Sequence, residues 1–403
     1  MKFKSTLFFV LLGFTVFAQV NPKAVKYRRS SLYLLMIDDP TRLRYETIKS
    51  AFMRTPFPEK FNNHNLTVKS ITENPAKKNQ EVNISTFLER EQVAKGMVAK
   101  WFNRSAKGGF NMDLVAQRGS YNASEMDAKT ALLNKRGLAL LADAGEELIG
   151  NTFVLISDFK YTNKEEVATQ VTSFLSQAMA DAAAQGTADA KTTKQLEATN
   201  KVVTELGSGY VIVTTSYLYR LVWNDSVSAV FYNQYWTDDA NLDSNKVKAF
   251  NNSKIFTLQF VGSEKSWADV QALKSMKIDE DSLIAHATIK ATDQVIAKLQ
   301  RKHEEFRTKS PLINTDPIAA EIGLKEGLEF GDKFQVLEQV VDENGRTSYN
   351  KVGMIKTARE FGIWDNRYMA GVEIDTTQTT RYTGFKKVSG GEFYPGMLIR
   401  QKN

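Results

Sequence analysis

Apolar and polar positions along the chain fall into two recurring periods. From 86 the apolar residues Phe87, Ala94, Met97, Val98 and Trp101 recur at helical spacing and predict one buried helix face. Thr86 with Glu89 three positions on has the form of a capping box at its start. A second helix is expected over Ser124–Leu148, opened by Ser124 and Asp127. The run "NTFVLISDFKY" at 151–161 predicts a central strand, and Thr162 with Glu165 starts the helix after it. In "GYVIVTTSYLYRLVW" the period becomes two, which places Val211, Val213, Thr215, Tyr217, Tyr219, Leu221 and Trp223 on one strand face. Asn224-Asp225 then reads as a hairpin turn into a second β-like run, "SVSAVFYNQYW". A half-buried strand is expected at 254–261, and helices over Ser266–Met276 and Asp281–Phe306.

This order predicts an α+β protein: a mixed α/β main domain over 64–309 followed by a small all-β barrel or sandwich over 318–403. Residues 19–63 read as an N-terminal strand and loop region, with the basic, aromatic stretch 23–35 leading into a buried strand or lying against a membrane surface or partner. An alanine-rich excursion occupies 178–195, and 310–317, flanked by Pro311 and Pro317, reads as the linker.

The densest pattern is "GLKEGLEFGDKFQVLEQVVDENG" at 323–345. A phosphate-binding loop needs Gly-Lys followed by Ser or Thr, whereas Gly331-Asp332-Lys333 is followed by Phe334. Gly327 and Gly331 are better read as turns that feed a strand into a small sheet, with Asp342–Gly345 as the next turn and Gly353 as a bend. The succession "GLEFGDKFQVLE", "YNKVGMIKT" and "FYPGMLIRQ" resembles the small β-barrel modules of bacterial envelope and flagellum-associated proteins. In that resemblance the paired positions are Gly331-Asp332 and Val352-Gly353-Met354. It implies a β-barrel and a leaning towards assembly or adhesion, and it supplies no catalytic residue.

Composition then sets the compartment. Lys2 and Lys4 precede an apolar run over 6–17, with Ala18 before Gln19; this is the arrangement of a secretory signal peptide over 1–18, the alternative being a retained anchor. The expected location is extracytoplasmic, in the periplasm or on the outer surface of a bacterium. The chain has no cysteine, so it must reach stability by burial alone, which its length permits. The formal charge is +7, and removing Lys2 and Lys4 leaves +5, a modest excess that favours an anionic neighbour without naming one.

Candidate chemistry is sparse. His64, His286 and His303 are the three histidines and lack metal-ligand spacing. There is no nucleophile elbow, and Asp279-Glu280-Asp281 suits an acidic helix start better than a calcium loop. No catalytic residue, cofactor or metal is assigned. The interaction candidates are Tyr217, Tyr219, Trp223, Tyr232, Tyr235 and Trp236, with sheet core as their structural alternative, and Trp364, Arg367 and Tyr368 in "GIWDNRY", where Arg367 also suits a pair with Asp365. The sequence therefore points to a non-enzymatic envelope protein binding protein or glycan, with peripheral membrane contact and without nucleic acid. The alternatives are an extracytoplasmic hydrolase or glycan-processing enzyme, which would need two carboxylates across a cleft, and a lipid or small-ligand binder.

Overall fold

The computed structural model describes residues 30–72, 80–122, 148–167, 169, 209–270, 279–341, 347–368 and 381–402. The signal-type start, most of the helix expected at Ser124–Leu148, the alanine-rich excursion and the Asp342–Gly345 turn lie outside them. Two units form, a mixed α/β domain and an all-β domain, in an α+β architecture.

Strand β1, Ser30–Asp38, is buried almost throughout, because apolar residues occupy both of its faces. It pairs in parallel with β4, Thr152–Asn163, on one edge and with the short β2, Phe61–Asn63, and β3, Ser70–Thr72, on the other. Antiparallel β5, Tyr210–Leu221, and β6, Leu258–Asp269, complete the order β2-β1-β4-β5-β6. The buried strand expected in the N-terminal region thus forms, and it is a central strand of the first domain, outside whose expected bounds of 64–309 it lies. The alternation along β1 splits the core: Leu32, Leu34 and Met36 face one side, and Tyr33, Leu35 and Ile37 the other. On the first side lie α1, Tyr45–Arg54, and the long α7, Glu280–Lys302. On the second lie α2, Gln80–Arg90, α3, Val93–Trp101, and α4, Asp113–Asn122, with α5, Asp225–Val230, and α6, Ser244–Asn252. The stripe Phe87, Ala94, Met97, Val98 and Trp101 is buried there, but on two helices where one was expected: Phe87 lies on α2 and the others on α3, with Gln92 in the left-handed region (φ 50°) between them. Thr86 is no cap: it sits inside α2 and its hydroxyl donates to the Val82 carbonyl at 2.7 Å.

Two further expectations are overturned. The run after Asn224 is helical, since the Asn224 side chain accepts from the Val227 N–H and caps α5. A π-turn over Phe231–Tyr235 follows, closed by the Trp236 N–H on the Phe231 carbonyl at 2.9 Å. Val227, Phe231 and Tyr235 recur every fourth residue, a helical period that the β-type composition of the run obscures. The helix expected from Ser266 does not form there either, because β6 continues to Asp269 with Ser266 paired to Thr214. By contrast α7 begins at the acidic triplet: Asp279 accepts from the Ser282 N–H at 2.9 Å and caps it.

In the second domain, β7, Ser310–Thr315, β8, Ile318–Ala320, β9, Lys333–Val341, β10, Thr347–Thr357, β11, Thr383–Gly390, and β12, Leu398–Lys402, close in the order β10-β11-β8-β7-β12-β9. The stretch read as a linker is therefore the first strand of this sheet. The expected barrel module is corrected to an antiparallel ring around Phe334, Val336, Ile355, Phe385 and Ile399. A barrel needs a sustained stagger of long strands. Here the β12/β7 ladder holds two pairs, Leu398↔Pro311 and Ile399↔Ser310, extended only by the Leu312 N–H on the Met397 carbonyl and the Gly396 N–H on the Leu312 carbonyl, and bulges interrupt β7/β8, β9/β10 and β10/β11. Gly327 and Gly331 do act as turns, with φ of 75° and 92°.

Beneath α3, His64 is fully buried. Its Nε2 lies 2.9 Å from the Met97 carbonyl and its Nδ1 2.7 Å from an Arg118 NH group. The carbonyl accepts and the guanidinium donates, so the ring is neutral with the proton on Nε2. Arg118 also covers the Trp101 ring at 4.4 Å and donates to the Asn63 carbonyl at 2.8 Å. Burial first, then Arg118, hold His64 well below its ordinary pKa, against the opposing Met97 bond. Below about pH 6.5 the unfolded chain takes up a proton that the folded His64 refuses. Its contribution then falls by up to about 1.4 kcal/mol per pH unit. The stability difference between the native chain and His64→Gln is expected to shrink on acidification from about pH 7.5 to about pH 5.5 in chemical denaturation; a constant difference would show that the folded ring takes up its proton as readily as the unfolded one.

Candidate ligand cleft

The six aromatic candidates of the first domain form a layer of its core. Tyr219 and Tyr235 are buried, and Tyr217, Trp223, Tyr232 and Trp236 are half-buried against the same cluster. Phe102 and Phe231 stack at 4.4 Å at its centre, with Trp223 5.7 Å and Trp236 5.8 Å from Phe102. The Tyr219 hydroxyl lies 3.2 Å from Ser85 Oγ, and Tyr235 accepts from Ser253 at 3.1 Å. The exposed aromatic sheet face needed for docking is therefore absent from these six residues.

The other three candidates meet at the junction of the two domains, beside a cavity of about 330 Å³. One wall is α7, on which Asp293, Ile296 and Gln300 share a face at three- and four-residue spacing. Pro58–Phe61, at the entry to β2, forms the floor. The opposite wall belongs to the ring domain: a 3₁₀ turn over Leu324–Glu326 and the segment Trp364–Arg367. Arg301 of α7 fastens the two units, donating to Asp332 at 2.9 Å, to Glu329 at 3.3 Å and to the Gly327 carbonyl. Glu304 and Arg400 pair across the same junction at 3.3 Å.

Glu326 organises the ring-side wall. Its Oε2 accepts from the Gly323 N–H at 2.7 Å and from the Asn366 amide at 2.8 Å. Asn366 Oδ1 in turn accepts from the Lys325 N–H at 2.7 Å, and the Leu324 N–H donates to the Trp364 carbonyl at 2.9 Å. The Trp364 N–H is held by Thr383 of β11 at 3.0 Å. The turn and the segment are thereby locked together, and Trp364 stands half-buried at the cavity. Arg367 forks onto Asp365 at 2.9 and 2.6 Å, the pairing the sequence offered as its plain account, and holds the Asp365 carboxyl below its usual range. Tyr368 packs its ring 5.8 Å from His286 of α7.

Two buried carboxyls face each other's walls across this cleft. Burial pushes both Glu326 and Asp293 above the usual carboxylate range. For Glu326 the opposing pulls come first from Lys60 and then from the Gly323 N–H; for Asp293 they come from Lys325 and the backbone of Tyr368. The Lys60 ammonium is tied to the Glu321 carbonyl, and Lys325 Nζ lies 3.5 Å from Asp293 Oδ2. Sequence reasoning missed Asp293, Glu326, Lys60 and Lys325. Asp293 and Glu326 are separated in the chain and on different domains, so no spacing could mark them; the signal available was a lone carboxylate among apolar positions of α7.

No protein-family model matches the chain, and no curated protein matches it. The likeness of the terminal segment to envelope and flagellum-associated modules therefore carries no family assignment, and the ring geometry above removes its structural basis. Among the described residues no helix is long and apolar enough to cross a membrane, and no group of three or more histidine, aspartate or glutamate side chains is placed to hold a metal ion.

Proposed function

We propose that this is a non-enzymatic binding protein of the bacterial envelope, exported by its N-terminal leader, that seats a glycan segment in the cleft between α7 and the terminal ring. The observation that carries the reading is the lining of that cleft: Trp364, the amides of Asn366 and Gln300, and paired charges around one cavity. An aromatic side chain beside amides and carboxylates offers an apolar surface for a sugar face and partners for its hydroxyls. Arg301 and the locked 3₁₀ turn hold the walls in place before binding, which lowers the ordering cost.

The test is calorimetric titration of the mature protein with a panel of envelope-type oligosaccharides. Trp364→Ala leaves both backbone hydrogen bonds of that residue intact, so it should fold as the native chain does and bind about tenfold more weakly. Equal affinity of the two proteins for every binding member of the panel would sink the assignment of this cleft.

A glycan-processing hydrolase is the second reading, favoured by one observation: Asp293 and Glu326 lie on opposite walls with both carboxyls pushed towards the protonated form. Release of new reducing ends from the same panel, lost in Glu326→Gln, would replace binding with catalysis.

A further inference from the structure

We propose that the ligand of this cleft carries a protonated amine, seated against Asp293, and that it is an amino sugar rather than its N-acetylated form. The inference rests on the reading of the cleft as a glycan site and adds the charge of what it takes.

The cleft differs in sign from the molecule around it. The whole chain carries +7, yet Glu59, Asp293, Glu321, Glu326 and Asp365 line the cavity against Lys60, Lys325 and Arg367. The Arg367–Asp365 pair cancels, which leaves four formal negative charges, Glu59, Asp293, Glu321 and Glu326, against two positive ones, Lys60 and Lys325. A concave site with an excess of one sign and low-dielectric walls concentrates the opposite charge.

Asp293 is where that charge lacks a partner of full strength. Its side chain is 7 % exposed, and Oδ2 receives no hydrogen bond. Lys325 Nζ, at 3.5 Å, stands at the limit of hydrogen-bonding reach. A buried carboxylate in that condition is costly unless a donor reaches it. An ammonium supplies three donors and a full positive charge from a small tetrahedral head. A divalent cation would instead need several oxygen ligands at once, and the described residues present no such group. An N-acetyl group offers one neutral N–H and a carbonyl that would face the carboxylate unfavourably.

The experiment compares a glucosamine tetrasaccharide with its N-acetylated counterpart and a lysine-containing tetrapeptide, titrated into the mature protein at neutral pH. The amine-bearing sugar is expected to bind at least about tenfold tighter than the N-acetylated one. Asp293→Asn, equal in volume, should abolish that preference, bringing the amine-bearing sugar down to the affinity of its N-acetylated counterpart. Lys325→Met removes the competing cation and should tighten amine binding several-fold, a gain that misfolding would not produce. Equal or tighter binding of the N-acetylated sugar overturns the amine and leaves the cleft reading standing. Failure of both sugars to bind overturns both. Tighter binding of the tetrapeptide than of either sugar overturns the amino-sugar source, and retained preference in Asp293→Asn overturns the seat.

Discussion

Phe231→Ala is expected to destabilise the first domain by about 3–5 kcal/mol, the largest effect of any single truncation considered. Phe231 is fully buried and stacks on Phe102 at 4.4 Å, with Phe110 at 5.1 Å, Tyr232 at 5.3 Å and Trp223 at 5.6 Å. Removing its ring costs the transfer energy of the lost atoms and leaves a hole whose walls are themselves rigid rings. Such walls cannot collapse by changing rotamer as aliphatic side chains do, so the cavity term stays near its upper end. The loss should appear as a lower urea midpoint at unchanged slope for the first-domain transition. Phe330, which is 51 % exposed in the second domain, supplies the control: its truncation should stay within about 0.5 kcal/mol. A Phe231→Ala loss below about 1 kcal/mol would mean that the cluster is not the core of the α/β domain. The aromatic residues around it would then be available for docking after all.

Gly323→Ala is expected to disable the cleft. The φ of Gly323 is −158°, extended backbone that any residue adopts, so the requirement for glycine is one of contact. An added Cβ would lie 2.1 Å from the Trp364 carbonyl oxygen and 2.7 Å from Asn366 Oδ1. The first of these is backbone and cannot rotate aside. The segment must retreat, and it breaks the Leu324–Trp364 and Lys325–Asn366 hydrogen bonds that build the ring-side wall. Overpacking of this kind costs about 1–3 kcal/mol, and ligand affinity should fall by more than about tenfold because Trp364 and Asn366 leave their places. Gly331→Ala separates the two causes of a glycine requirement. Nothing lies within 4 Å of its Cβ position, but its φ is 92°, so it should lose stability through strain and keep ligand affinity. Native melting and native binding in Gly323→Ala would show that this contact does not hold the wall.

Much of the fold was legible because burial and period coincide. The residues 151–161 and 210–221 are strands buried deeply enough that their composition and alternation agree, and Ala94, Met97, Val98 and Trp101 on α3 keep a helical period that no strand could bury on one face. The run 226–236 was misread because Val, Phe, Tyr and Trp favour strands locally. Asn224 at the cap and the fourfold spacing of Val227, Phe231 and Tyr235 carried the contrary signal, and packing on Phe102 decided in their favour. The acceptance of polar residues on β6 has a similar cause. It is the edge of its sheet, so Glu264 and Lys265 are tolerated there and blur the period by which a strand is recognised.

The sequence by itself determined the two-part α+β organisation, the buried strands, the acidic start of α7 and the turn role of Gly327 and Gly331, because each follows from interactions within a few residues or from a repeating pattern of burial. Only the tertiary structure decided that six aromatic candidates are core and that the last strands form a ring. It also decided that Asp293, Glu326, Lys60 and Trp364 share one cleft. The physical reason is distance along the chain: the cleft is made where α7 docks on the terminal ring through Arg301, and the charges it gathers have no local partner that spacing could reveal.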